Sequence, residues 1–187
     1  MDALMLEGGF AEAPVQSAHA FRAAMMAMAM PGRIEAISGA RGPAPLSEAA
    51  ATLILTLCDP ETPVYLAGAH DTEAVRGWIT FHTGAPFAGP EAAKFAVGDW
   101  AALHPLDRFG IGTDQYPDRS ATLIVEMPEL LAEGAELTGP GIKDKAALNL
   151  PDVAAFQRNR MLWPLGLDFF FTCGGRVAAL PRSTEVR

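Results

Sequence analysis

Hydrophobic positions in this chain come in short runs punctuated by proline and glycine, and the spacing inside each run predicts an element. From Ser17 to Met30, Phe21, Met25 and Met28 recur at helical intervals, with Ser17 placed to cap the helix and Pro31-Gly32 to stop it. Arg33 to Ile37 alternates polar and apolar side chains, the pattern of a strand with one wet face. Ser47 is placed to cap a second helix running to about Leu57, before Asp59-Pro60. Its wall of Ala49, Ala50, Leu53, Ile54, Leu55 and Leu57 is apolar nearly all round, which predicts deep burial. Pro63 to Ala67 reads as a short strand. Asp71 is placed to cap a third helix, whose Val75, Trp78, Ile79 and His82 share one face; Gly84 and Pro86 close it.

The second half is richer in strands. Lys94–Val97, Ala121–Glu126 and Ala135–Thr138 carry strand patterns, and 98–118 is mixed and loop-like. Pro151 suits the first turn of a helix ending near Met161. Asp168 to Cys173 is apolar on both faces, as an interior strand is. Gly174-Gly175 then forms a two-residue turn into Arg176–Leu180, which predicts an antiparallel hairpin. Helices alternating with strands, followed by strand pairs, predict an α/β fold: a single layered domain over residues 1–187 with a central mixed β-sheet flanked by helices.

Composition changes this picture by exclusion. Of 187 residues 50% are hydrophobic and 19% charged, which excludes a disordered chain. The net charge of −8 argues against a general grip on nucleic acid or on anionic lipid. No apolar run reaches the roughly 18 to 20 residues that span a bilayer. The opening Met1 to Glu7 carries two acids and no cation, so no secretory signal is expected there, and the expected compartment is the cytoplasm. Cys58 and Cys173 each lie in an apolar run, and two buried thiols are expected in preference to a disulfide.

The strong chemical motifs are missing: no phosphate loop, no dinucleotide fingerprint, no nucleophile elbow, no His-Glu-x-x-His and no Cys-x-x-Cys. Weaker features remain. His82 is expected to be a packed histidine bonded to a backbone carbonyl, with acid–base work as the alternative. Thr138-Gly139-Pro140-Gly141 is a structural turn or an anion nest, although Pro140 brings no N–H to such a nest. Arg182-Ser183-Thr184 is either a phosphate-type site or an exposed tail. Met25, Met26, Met28 and Met30 crowd one helix, where core filling is expected and an interface is the alternative. Arg22 in that helix is a surface charge or a buried anchor.

Several blocks together resemble a known family. His19-Ala20-Phe21-Arg22, Met25, Ala27-Met28 and Met30-Pro31-Gly32 are similar to the opening helix of the PhnH family of bacterial phosphonate metabolism. The resemblance continues through Leu55-Thr56-Leu57, Asp59 and Thr62-Pro63-Val64, then Phe81-His82-Thr83 and Ala85-Pro86. Ala121 to Ile124, Leu137 to Ile142, Pro164 to Asp168, Thr172-Cys173-Gly174 and Leu180 to Thr184 complete it, in family order.

The resemblance implies a subunit of the carbon–phosphorus lyase core complex, working beside the G, I and J subunits (PhnG, PhnI and PhnJ). That assembly, with an associated L protein, transfers a phosphonate to the ribose of ATP and releases adenine. A radical step on the J subunit later cleaves the carbon–phosphorus bond. It implies no reaction by this subunit alone. It also implies a homodimer with a fold similar to the large domain of pyridoxal-phosphate-dependent transferases, but without the cofactor. The residues agree on that last point, because only Lys94, Lys143 and Lys145 are available for a Schiff base, and none follows a buried strand convincingly. No metal or iron–sulfur cluster is expected. The alternative function is a small-molecule site for a phosphonate or nucleotide phosphate at the dimer interface, drawing on Arg22, Arg119, Thr138, Gly139, Gly141, Arg182 and Thr184. Arginine outnumbers lysine 11 to three, which suits bidentate anion recognition.

Overall fold

The structure is a computed structural model that describes residues 6–187. The reading of the first seven residues as no secretory signal therefore falls mostly outside the described part.

A six-stranded sheet forms the centre. Its strands are β1 (Glu35–Ala36), β2 (Val64–Leu66), β3 (Phe95–Asp99), β4 (Thr122–Glu126), β7 (Asp168–Cys173) and β8 (Arg176–Leu180). The spatial order is β1-β8-β7-β4-β3-β2. Strands β2, β3, β4 and β7 run parallel, and β8 is antiparallel to both of its neighbours, β7 and β1. The predicted hairpin is present, with Cys173 opposite Arg176 across the Gly174-Gly175 turn. The chain is thus α/β with a mixed central sheet flanked by helices.

The sheet separates two apolar layers, and the pleat of β7 serves both. Phe170 faces one layer with Ile124, Val97 and Val177; Phe169 and Phe171 face the other with Leu123, Val125 and Leu180. Removing each ring from water contributes roughly 1.5–3 kcal/mol. The Phe170 layer is covered by α1 (Ala13–Ala29), α2 (Glu48–Leu57) and α3 (Glu73–Thr83). The opposite layer is covered by α4 (Trp100–Leu103), α5 (Val153–Met161) and a three-stranded sheet. In that sheet β5 (Ala135–Thr138) lies between β6 (Ala146–Leu148) and β9 (Glu185–Val186).

Helix α1 departs from its prediction in two ways. It begins four residues before Ser17, because Pro14 supplies a pre-set first turn, and the Gln16 amide oxygen accepts the Glu12 N–H at 2.8 Å. Its buried line is Ala20, Ala24 and Ala27, not Phe21 and Met25. Small side chains let this helix lie close against β8 and α2, so the large ones face outward.

Elsewhere the corrections are local. Ser47 caps α2 by accepting the Ala50 N–H at 3.1 Å, as expected. Thr72, not Asp71, caps α3, accepting the Val75 N–H at 3.2 Å. Asp71 instead pairs with Arg76, whose guanidinium holds the carboxyl below its ordinary value. Gly84 ends α3 in the left-handed region at φ 68°, where a side chain would be strained. Pro151 lies outside α5, which Asp152 caps through the Ala155 N–H at 3.0 Å. The strand expected over 33–37 shortens to two residues.

Candidate functional site

The parallel strands β2, β3, β4 and β7 end along one edge, where α/β sheets commonly present ligand-binding groups. The acids at this edge are already engaged. Glu126, at the end of β4, accepts the Ser47 N–H at 2.7 Å and the Thr172 hydroxyl at 2.9 Å. It therefore braces the start of α2 against β4 and β7, at the helix end where the dipole favours a carboxylate. Asp99 caps α4 through the Ala102 N–H at 2.8 Å. Both line a shallow recess of about 620 Å³ with Trp100, Pro128 and Asn149. Among the described residues, no three His, Cys, Asp or Glu side chains converge as a metal site.

The residues singled out as an anion site do not share one environment. Arg182 turns inward instead of ending an exposed tail. Its backbone N–H donates to Asp168 Oδ1 at 2.8 Å and its Nη1 to the Pro117 carbonyl at 2.6 Å. Nε and Nη2 reach both Asp168 oxygens and the Ser120 hydroxyl, so most of the fork is committed within the chain. Arg119 is exposed and stacks over the Tyr116 ring at 4.0 Å. Arg22 is an exposed charge on α1, which decides between the two roles left open for it.

The Thr138–Gly141 turn lies against the end of α1. Gly141 has φ 82°, and a Cβ there would overlap the Ala29 carbonyl oxygen. Thr138 pairs in register with Glu185, which brings Gly139 beside Ser183 and Thr184. Thr184 is buried, and its Oγ1 has no hydrogen-bond partner among the described residues. Two subsets are thus brought together: Arg182 with the 117–120 turn that carries Arg119, and Thr138 to Gly141 with Thr184.

The methionines divide as well. Met26 and Met28 are half-buried, whereas Met25 is 50% and Met30 40% exposed, beside Phe21 at 54%. Of the four, Met28 packs against the core. His82 is packed, with ring centroids 5.0 Å from Trp78 and 4.9 Å from Phe81, and Gly9 lies against it. Among the described residues it bonds to no carbonyl, and its buried Nε2 has no partner there. Asp168, at the start of β7, is held by Arg182. Both cysteines are free thiols. Cys58 is buried and Cys173 half-buried, and burial pushes the Cys58 thiol up to about 12.

Some features carried no signal in the sequence pattern. Met161, Leu162 and Trp163 form an exposed apolar knob at the end of α5; being consecutive, they leave no periodicity to read. Among the described residues, His70, in the turn after β2, is buried with neither ring nitrogen bonded, and His104 has a buried Nε2 without a partner.

These observations define a class: an α/β protein whose acids at the sheet edge are structural braces and which exposes large apolar side chains on α1 and after α5. The family follows from comparison. Residues 8–187 match the family described as "Bacterial phosphonate metabolism protein (PhnH)", and the chain belongs to that family. It is 41% identical over 191 residues to the "Alpha-D-ribose 1-methylphosphonate 5-triphosphate synthase subunit PhnH" of Rhizobium meliloti (strain 1021), covering 96% of this chain and 94% of that protein. It is 28% identical over 201 residues to the "Putative C-P lyase subunit protein HtxG" of Stutzerimonas stutzeri, covering 98% and 97% of the two chains.

Proposed function

We propose that this chain is an accessory, non-catalytic subunit of a carbon–phosphorus lyase complex, required where a phosphonate is joined to the ribose of ATP. The observation that carries this reading is the near full-length relation, at 41% identity, to a protein named as a subunit of that synthase. The exposed apolar side chains on α1 and at the end of α5 support it, because a subunit acts through surfaces that a partner covers. The braced state of Glu126 and Asp168 agrees, since each carboxylate already serves a structural contact.

The reading includes a cytoplasmic homodimer, the G, I and J subunits as partners, and a fold like the large domain of pyridoxal-phosphate-dependent transferases. A sheet of four parallel strands followed by one antiparallel strand supports that likeness. It includes no cofactor: Lys94 precedes β3 instead of following a strand, and Lys143 and Lys145 are exposed. Added pyridoxal phosphate is expected to give no lysine-dependent visible band.

The test is affinity purification of the tagged chain from cells grown on a phosphonate, with mass spectrometry of what accompanies it. Recovery of the other core subunits is expected. A chain that stays free while those subunits are present in the same cells overturns the reading.

A further inference from the structure

A cavity of about 350 Å³ lies between α5 and the turn at 104–108, on the Phe169 side of the sheet. That volume is within the roughly 300–1,000 Å³ usual for small-molecule sites. Its floor is apolar, built partly from Ile111, Leu162 and Leu167, and it is held firmly. The Asn159 side chain accepts the Leu167 N–H at 2.8 Å and donates to the Leu167 carbonyl at 2.9 Å, which ties α5 to the start of β7.

Three polar side chains on the cavity have no such commitment. Arg158 and Asp107 both line it, yet neither forms an ion pair with the other or with any described residue. His104 packs edge-on against Trp100, with ring centroids 4.6 Å apart, and its buried Nε2 has no partner among the described residues. Opposite charges that share an apolar-floored cavity without pairing match a ligand that carries both charges. A simple anion would leave Asp107 unanswered, and a simple cation would leave Arg158 so.

We propose that this cavity binds a small zwitterion, an ω-amino anion with a short alkyl chain between its charged ends. The guanidinium fork of Arg158 receives the anionic group through two oxygens. The Asp107 carboxylate accepts the ammonium, and the methylenes rest on Ile111 and Leu167. A phosphonate and a carboxylate share this chemistry. The phosphonate form rests on the function proposed above; the site itself does not.

Titration calorimetry of the full chain with 2-aminoethylphosphonate, β-alanine and ethylphosphonate tests it. Both amino anions are expected to bind, and ethylphosphonate, which lacks the ammonium, to bind about tenfold more weakly. Arg158→Gln should weaken 2-aminoethylphosphonate roughly tenfold to a hundredfold. Asp107→Asn should erase its advantage over ethylphosphonate. Both side chains are exposed and unpaired, so circular dichroism should find both variants folded. No binding of either amino anion, equal binding of ethylphosphonate, or undiminished affinity in Arg158→Gln overturns the proposal. Binding of β-alanine alone keeps the site and removes the phosphonate. Both variants should still co-purify with the core subunits. A chain that binds the zwitterion but recruits no subunit refutes the proposed function and leaves the site standing.

Discussion

Replacing Arg182 with methionine removes a cation that joins three separate parts of the chain. Its guanidinium holds the Asp168 carboxylate at the start of β7, the Pro117 carbonyl and the Ser120 hydroxyl, and its own backbone N–H donates to the same carboxylate. Breaking a buried ion pair from one side costs about 3–5 kcal/mol, because the remaining charge is left without its partner. Here the side chains are 13% and 22% exposed, so water recovers part of that loss for Asp168. The expected cost is about 2–4 kcal/mol. For a chain of this length it corresponds to a fall in Tm of roughly 4–16 °C, read by thermal denaturation under circular dichroism.

Two further variants separate charge from geometry. Arg182→Lys keeps the charge but cannot reach the carboxylate, a carbonyl and a hydroxyl together, so it should recover less than half the loss. Arg182→Met combined with Asp168→Leu should cost less than the sum of the two single changes, because no orphaned carboxylate remains. A fall in Tm below about 2 °C for Arg182→Met would refute the structural role and return the guanidinium to the list of free anion-binding groups.

Other changes follow from the same geometry. Cys58 should resist a water-soluble thiol reagent in the folded chain and react only after denaturation, whereas Cys173 should react first. Because burial raises the Cys58 thiol from 9.0 to about 12, its contribution to stability is complete below pH 9 and is lost as pH rises toward 12; Cys58→Ala should flatten that decline in alkaline melts. Glu126→Ala, which frees the Ser47 N–H and the Thr172 hydroxyl, should lower stability by about 1–3 kcal/mol, and Glu126→Gln, which keeps an acceptor, by less; equal losses in urea titrations would sink the brace. His70→Leu should be neutral or stabilise by up to about 2 kcal/mol, since it removes two buried nitrogens without partners; a large loss would mean that the ring has a partner in the protein.

How much of this was legible along the chain depended on whether one residue's environment was local. The β7–β8 hairpin was readable because Gly174-Gly175 and the run from Asp168 to Cys173 specify turn and strand within a dozen positions. The cap of α2 by Ser47 was readable for the same reason. The segment 185–186 was not: two residues carry no period, and β9 exists only because β5 offers an edge to them. Arg182 stood out along the sequence only as a phosphate-type group or part of an exposed tail; its partners lie 14 and more than 60 positions away, and no local spacing encodes that. The free groups of the cavity at 104–108 were hidden likewise, since Asp107 and Arg158 come to line one cavity only through the fold.

Helix α1 shows why periodicity identifies a helix more securely than its buried face. Two stripes run along it, one of Ala20, Ala24 and Ala27 and one of Phe21 and Met25, and hydropathy alone favours the larger residues for the core. Distance decides otherwise. The helix must also fit beside α2, whose Ala49, Ala50 and Ala51 are fully buried, and small side chains let the two backbones approach closely. Seating Phe21 and Met25 in that seam would force the helices apart and open voids along Ile54 and Val177, each costing free energy in proportion to its volume. Turning the alanines inward therefore leaves an aromatic ring and a thioether in water, an arrangement a lone domain gains nothing from. It becomes favourable when another surface covers them, which ties the packing of this one helix to the work proposed for the whole chain.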